Sequence, residues 1–323
     1  MVAQPPDVLS VIAVGRISFT RRYLTRHLSA LSTDWPRMHS NKRVALVTFS
    51  GIQDRDVDTP QVVAALQALH VRPEVVSWDQ PVDWTEFALV VIRSPWNYYM
   101  HLSDFLDWAR HVSEICPMLN PFPIIEWNCH KRYLIELEHA GVPIIPTRMI
   151  ERHSVEPMAS LRTTNWTEVV IKPAVSAGAV GALRTRLDHL DCAEHLRSIT
   201  TDNDALVQPF MHSVTTTGET SLMFFDGQFS HAVCKRPQVG DYRVQDQHGG
   251  TVQAHEPSRA EMDVAMLALR TAPGSTTYAR VDLVHLYKQP ALMELELIEP
   301  ALFLAFSANA TQRYSQALLA KLG

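Results

Sequence analysis

The chain has 323 residues, 46% of them hydrophobic and 20% charged, which is enough for two or three packed units and excludes a collagen-like or broadly disordered polymer. A net charge of −5 leaves no overall basic footprint for nucleic-acid binding, so any cationic site must be local. The four cysteines, Cys116, Cys129, Cys192 and Cys234, form no C-x-x-C pair, which reads as reduced thiols in a cytoplasmic protein, and the apolar runs fall far short of a membrane span.

Residues 1–42 read as an N-terminal extension. Arg16, Arg21, Arg22, Arg26 and Arg37 face only Asp7 and Asp34, among several Ser and Thr, so organelle targeting stands as the minor alternative. The fold begins with the apolar run Arg43 to Phe49, a strand buried on both faces. After a loop at 50–60, Val62, Val63, Leu66 and Leu69 recur at helical spacing, and 74–78 and 87–92 read as further buried strands of a small parallel sheet. Open sheets of this kind bind ligands beyond the carboxyl ends of their strands, where Arg93-Ser94-Pro95-Trp96-Asn97-Tyr98-Tyr99 falls. Arg93, Ser94, Asn97 and Tyr98 are therefore candidate substrate contacts, against the alternative of a packed aromatic turn before a helix over 101–115.

Asn128 reads as the N-cap of a helix through Lys131, Leu134 and Leu137, stopped by Gly141 and Pro143 and followed by a strand at 143–149. From 167 the texture is β-rich, with runs at 168–172, 181–185, 205–208 and 220–225 and an Asp226-Gly227 hairpin into 228–236, which implies an antiparallel sheet. Helices are expected at 188–199, 258–271 and 307–321, and strands 277–287 and 291–298 are expected to pair across Lys288-Gln289-Pro290. Residues 151–166 and 237–257 read as mobile loops. The fold class is α/β followed by α+β.

Three stretches carry chemistry. Lys172 closes the buried run Val169-Val170-Ile171 and precedes a small-residue loop, Ala174 to Gly181, whose N–H groups can fold over phosphates. Taken alone, Lys172 also fits a lysine snorkelling at a strand end. Glu294 and Glu296 alternate with Leu295 and Leu297 and so share one strand face, where pairing can bring Asp282 beside them; three such carboxylates need a cation, and Mg²⁺ suits hard oxygen donors near phosphates. Finally, Leu206-Val207-Gln208-Pro209-Phe210-Met211 runs from a strand into an extended linker that can border an adenine ring. The histidines, among them His101, His130, His231, His248 and His255, show no H-x-x-x-H spacing and read as surface or packing groups.

In order, Lys131, Lys172-Pro with its loop, Gln208-Pro-Phe, Glu219, Lys235-Arg236-Pro, Arg280-Val-Asp and Glu294-Leu-Glu resemble the ATP-grasp superfamily, in its glutathione-synthetase-like branch. The stretches around Arg93 to Tyr98, Trp127 to Leu134, Phe224 to Val233 and Met293 to Pro300 are similar to the D-cycloserine synthetase type, an O-ureido-serine cyclo-ligase. The resemblance implies a Rossmann-like domain over 43–127 and two α+β lobes, 128–207 and 208–323, that sandwich ATP. It implies that Lys131 and Lys172 hold phosphates under a loop carrying Ser176, Gly178 and Gly181, that Gln208 and Phe210 border the adenine, and that Glu219 meets the ribose. Asp282, Glu294 and Glu296 would carry two Mg²⁺ ions, with Mn²⁺ as an alternative. Arg280, Lys235 and Arg236 would neutralise the transferring phosphoryl group, and Arg243 would join the substrate contacts.

The activity so implied is ATP-dependent carboxylate–amine ligation through an acyl phosphate on a small amino-acid-like or peptide-like substrate, intramolecular in the cyclo-ligase form. An ATP-binding sensor without turnover is the competing reading. A homodimer is the default assembly. Two departures stand out: Glu296 occupies a position where many relatives carry Asn, and the loop keeps only Gly178 and Gly181.

Overall fold

The computed structural model describes residues 41–52, 56–245 and 249–322. The expectations for residues 1–40 lie outside them. Four parallel strands come first, β1 (Arg43–Thr48), β2 (Arg72–Ser77), β3 (Leu89–Ser94) and β4 (Met118–Leu119), in the order β2-β1-β3-β4. β1 and β3 are central and nearly all buried, as a parallel sheet covered on both faces requires. β2 departs from the buried strand expected there, because it lies at the sheet edge with one neighbour and leaves Val75 open to solvent. Helix α1 (Thr59–Ala68) buries Val62 and Leu66 between β1 and β2, and α2 (Leu102–Ile115) buries Phe105, Ala109 and Val112 at helical spacing between β3 and β4.

Two short helices follow, α3 (Phe122–Asn128) and α4 (Tyr133–His139). The single helix capped by Asn128 is thus replaced by a helix that Asn128 ends. It starts early because Pro123 occupies the first turn, where a missing N–H costs nothing. Lys131 sits in the turn between α3 and α4, pinned by its own N–H to the Ala174 carbonyl at 2.8 Å.

The second sheet is antiparallel, in the order β5-β8-β6-β7, from β5 (Arg148–Ile150), β6 (Glu168–Pro173), β7 (Leu183–Arg186) and β8 (Ala205–Pro209). The strand expected at 143–149 shrinks to β5, since Pro143 and Pro146 cannot donate to a ladder. Helix α5 (Leu190–Thr200) packs Leu196 and Ile199 on Val169, Ile171 and Val207. Residues 151–166 form turns without helix or strand, yet Leu161 is fully buried in that same core.

The third sheet has five antiparallel strands in the order β11-β10-β9-β12-β13, namely β9 (Glu219–Phe225), β10 (Gln228–Arg236), β11 (Thr251–His255), β12 (Tyr278–Leu286) and β13 (Gln289–Glu296). β11 overturns part of the loop expected over 237–257: its polar residues pair with the β10 edge instead. The β12–β13 turn falls at Tyr287-Lys288, both at positive φ as a tight hairpin requires, rather than at Lys288-Gln289-Pro290. Helix α6 (Ser213–Thr216) precedes β9, and α7 (Arg259–Thr271) opens on a capping box between Ser258 and Glu261.

The C-terminal helix α8 (Ala310–Leu319) joins the first and third sheets, packing Tyr314 and Leu318 with Val44, Leu46 and Leu66 on one side and Met223 and Phe225 on the other. The boundaries expected at 127/128 and 207/208 fall inside α3 and β8. Among the described residues, no helix is long and apolar enough to cross a membrane.

Candidate active site

Strand alternation sets out the charges. The β12–β13 register places Asp282 opposite Glu294 and Arg280 opposite Glu296, while Val281 and Leu295 enter the core on the other face. The Arg280 guanidinium bridges the two strands, donating to Asp282 Oδ2 at 2.9 Å and to Glu296. Ser221 of β9 donates its hydroxyl to Asp282, and Lys235 of β10 approaches Glu219 at 2.5 Å and Asp282 at 3.6 Å.

Across from this sheet, Lys172 near the end of β6 and Lys131 in its turn bracket one carboxylate. Lys131 Nζ lies 3.1 Å from Glu294 Oε1, Lys172 Nζ lies 4.0 Å from Oε2, and Lys131 also donates to the Ser176 carbonyl at 2.8 Å. These groups line a single cavity of about 1060 Å³. Its lining also includes Ser176, Gly178, Gln208, Phe210, Asn97 and Tyr98, as well as Arg243.

Burial opposes the charges on Asp282, Glu294, Glu296, Glu299 and Lys172, and their partners decide the outcome. Desolvation would raise the Asp282 carboxyl, but Arg280 and Lys235 overcome it and hold it down at about 2. Glu294 is likewise held below the usual carboxylate range by Lys131 and Lys172 against the pull of burial. Burial draws the Lys172 ammonium down, with Glu294 opposing. Glu296 and Glu299 go the other way: burial pushes Glu296 up to about 7 despite Arg280, and burial with the nearby Glu296 charge pushes Glu299 up to about 8.

These shifts set a pH dependence. A carboxyl raised on folding contributes most to stability below its ordinary value of 4.5 and loses that contribution as pH rises through 7 and 8. Asp282 does the reverse, its contribution disappearing only as pH falls through about 2. The thermal midpoint of the ligand-free protein should therefore fall between about pH 5 and pH 8, and Glu299→Gln should flatten that slope in melts followed by circular dichroism.

The three carboxylates expected to converge do not meet at one point. Among the described residues, no three Asp, Glu, His or Cys side chains gather closely enough to hold a metal ion. Like charges about 4 Å apart repel by about 4 kcal/mol at an effective dielectric near 20, and each of these has a cation in reach, so they turn toward it. The donor set still fits a divalent cation: Asp282, Glu294 and Glu296 offer hard oxygens from one face of paired strands, and the facing ammonium groups suit phosphate oxygens.

Several expected contacts lie elsewhere. Arg93 is fully buried outside the cavity lining, stacked 5.4 Å from the centroid of the Tyr314 ring, and Ser94 is buried against Thr48. Arg236 is exposed on β10, 3.4 Å from Gln253, because it follows the inward-facing Lys235. Arg236→Ala should leave turnover within about twofold in steady-state assays, as surface changes away from the chemistry do. Gly181 is not a wall residue; at φ +73 it lets the loop fold back on β6, where a Cβ would meet the Pro173 ring at 2.9 Å.

Of the other lining residues, Gln208 donates to Thr147 Oγ1 at 3.0 Å, and the Arg184 guanidinium lies 3.6 Å from the centroid of the Phe210 ring. Tyr242 donates to the Ala182 carbonyl at 3.2 Å, tying the loop that carries Arg243 to the loop after β6, while Arg243 itself pairs with Asp241. Glu219 is engaged by Lys235 rather than free toward a sugar. Asn97 anchors its own loop, accepting from Trp78 Nε1 at 2.8 Å.

Three contributors escaped the sequence reading. Glu299 lines the cavity just past β13. Asn128 clamps β13, donating to the Leu295 carbonyl and accepting from Leu297 N–H, both at 2.9 Å. Asp58 accepts N–H bonds from Leu302, Phe303 and Leu304 at 2.7, 3.1 and 3.0 Å. Only Glu299 had a signal, its place in the Glu-Leu-Glu-Leu-Ile-Glu run.

Two α+β lobes closing on a cavity walled by lysines on one side and carboxylates on the other, behind a parallel-sheet domain, define an ATP-grasp ligase. A family model described as the D-cycloserine synthetase DcsG N-terminal domain matches residues 44–120. The cycloserine biosynthesis protein DcsG of Streptomyces lavendulae is 32% identical over 298 residues, covering 86% of this chain and 98% of that one. The crystal structure of D-cycloserine synthetase DcsG superposes with a TM-score of 0.81 at 30% identity, over 87% of this chain and all of that one. A D-alanine–D-alanine ligase from Bacillus anthracis shares the fold alone, with a TM-score of 0.66 at 14% identity over 86% of this chain and 95% of its own. The chain belongs to the D-cycloserine synthetase family of ATP-grasp ligases.

Proposed function

We propose that the protein uses ATP and a divalent metal, Mg²⁺ by donor chemistry, to activate the carboxylate of a small amino-acid-like substrate as an acyl phosphate, which a nitrogen of the same molecule then attacks to close a ring. The observation that carries this reading is the Glu294 carboxylate held between Lys131 and Lys172 at the seam of the two lobes. A pair of amines that already grips one anion in a desolvated wall is preorganised for phosphate oxygens once that anion turns to a cation.

The residue roles follow. Lys131 and Lys172 grip the phosphates, with the loop bearing Ser176, Gly178 and Gly181 above them, and Gln208 and Phe210 border the adenine. Glu219 releases Lys235 to reach the ribose. Asp282, Glu294 and Glu296 would hold the metal ion, which would supply charge neutralisation of the triphosphate when bound. Arg280 and Lys235 face the transferring group, and Asn97, Tyr98 and Arg243 border the acceptor.

In the first step a substrate carboxylate oxygen attacks the γ-phosphorus and ADP leaves with the bridging oxygen. In the second the nitrogen lone pair attacks the acyl carbon, inorganic phosphate departs, and the nitrogen loses its proton. An unactivated carboxylate would have to expel oxide, which is why phosphorylation comes first. Positioning and electrostatics supply the catalysis, and no Ser or Cys nucleophile enters.

The test is ADP and phosphate release from ATP and Mg²⁺ with O-ureido-D-serine and a panel of amino acids and dipeptides, with products read by mass spectrometry. ADP formed in step with a cyclised product supports the reading. ATP binding with no substrate-dependent ADP would instead identify a sensor without turnover.

A further inference from the structure

The carboxylates that line the cavity are spoken for, with one exception. Asp56 accepts from Thr59 and Asp58 from the 302–304 backbone. Glu219, Asp282, Glu294 and Glu296 each hold a lysine or arginine. The Glu299 carboxyl lines the same cavity and, among the described residues, makes no side-chain hydrogen bond or ion pair.

Its backbone is held unusually firmly. Asn128 and Asn120 fix Leu297 through its N–H at 2.9 Å and its carbonyl at 2.8 Å. The Tyr278 hydroxyl donates to the Ile298 carbonyl at 3.0 Å, and Trp96 Nε1 donates to the Glu299 carbonyl at 3.1 Å. Four side chains from three parts of the chain thus deliver this carboxyl from a fixed segment, as a preorganised binding group requires.

The surroundings restrict what the group can take. Glu294 and Glu296 lie close enough to raise its proton affinity, so a phosphate would be repelled there. Lys131 is committed to Glu294 and to the Ser176 carbonyl. Trp96, whose Nε1 reaches the Glu299 carbonyl, and Tyr98, both from the loop after β3, line the same cavity. A half-buried carboxyl that faces other carboxylates and has no protein cation of its own is a natural partner for a cationic ligand group.

We propose that Glu299 is the residue that recognises the ammonium group of the amino-acid substrate. This rests on the ligase reading above. The ammonium pairs with Glu299 while the carboxylate of the same molecule is turned toward Arg280 and the phosphates, so one side chain selects the substrate class and orients the acid to be activated.

The experiment compares ADP formation by the full chain and by Glu299→Gln on O-ureido-D-serine and on its des-amino counterpart, 3-(ureidooxy)propanoate, with ATP and Mg²⁺. Glu299→Gln should lower kcat/KM for the amino substrate about 10²-fold, mostly in KM, since a charge-assisted contact of this kind is lost. The des-amino compound should change by less than about threefold. Glu299→Asp, which keeps the charge, should recover part of the preference, and an unchanged ATP-induced thermal shift in each variant verifies that the fold and nucleotide site are intact. Equal losses on both compounds, or no loss on either, overturn the assignment while leaving the ligase reading in place. No ADP from the unaltered chain with any amino acid overturns both.

Discussion

Glu294→Gln should lower turnover on the order of 10³-fold, the scale on which a preorganised group at the developing charge acts. The substitution keeps shape and one hydrogen-bond acceptor while removing the charge that Lys131 and Lys172 share. In the ligand-free protein the two amines then lose the carboxylate they share, and the Lys172 ammonium, already drawn down by burial, is drawn down further. Metal-free nucleotide should bind the variant at least as well as the parent, because no carboxylate competes for the lysines, whereas the benefit of added Mg²⁺ should shrink. Calorimetry with ATP, with and without Mg²⁺, beside steady-state ADP assays, separates these effects. Full turnover in the variant would remove Glu294 from the reaction and, with it, the observation on which the proposed mechanism stands.

Much of this site is written in local sequence. Period-two alternation puts Glu294 and Glu296 on one face of β13, and the register with β12 then brings Asp282 and Arg280 to the same face. The same rule separates Lys235 from Arg236, since consecutive strand residues point to opposite faces, so naming both as contacts set aside a constraint that was available. Other features depend on partners far away in the chain. Arg93 ends a parallel strand, where ligand contacts are common, but Tyr314 of α8 covers it and Asp56 and Asp58 neutralise it. Nothing near residue 93 announces that helix. Asn128 looked like a helix start because Asn favours that position, yet its carboxamide is spent on the β13 backbone, a tertiary bond without local signature. Glu299 lies past the last paired residue of β13, where alternation no longer says which way a side chain points.

Asp58→Ala should destabilise the protein by about 3–5 kcal/mol, as expected when a buried anion is removed from three backbone donors. Leu302, Phe303 and Leu304 present successive N–H groups around Phe303, whose φ of +50 is a conformation that side chains larger than Gly rarely hold. Such a run of N–H groups forms a concavity that takes an anion, and here the anion comes from the residue preceding α1, more than two hundred positions earlier in the chain. The consequence reaches the site, because Ala301, Phe303 and Phe306 of this segment line the same cavity as Trp96 and Tyr98. Asp58→Asn, which keeps one acceptor, should lose roughly half as much. Both variants should raise KM for the acceptor more than for ATP, whose proposed lysine contacts are Lys172 on β6 and Lys131 in the α3–α4 turn. Denaturant unfolding gives the stability ranking, and paired KM measurements give the second effect. If Ala and Asn were equally mild, the carboxylate would not be what holds Phe303 in its left-handed conformation.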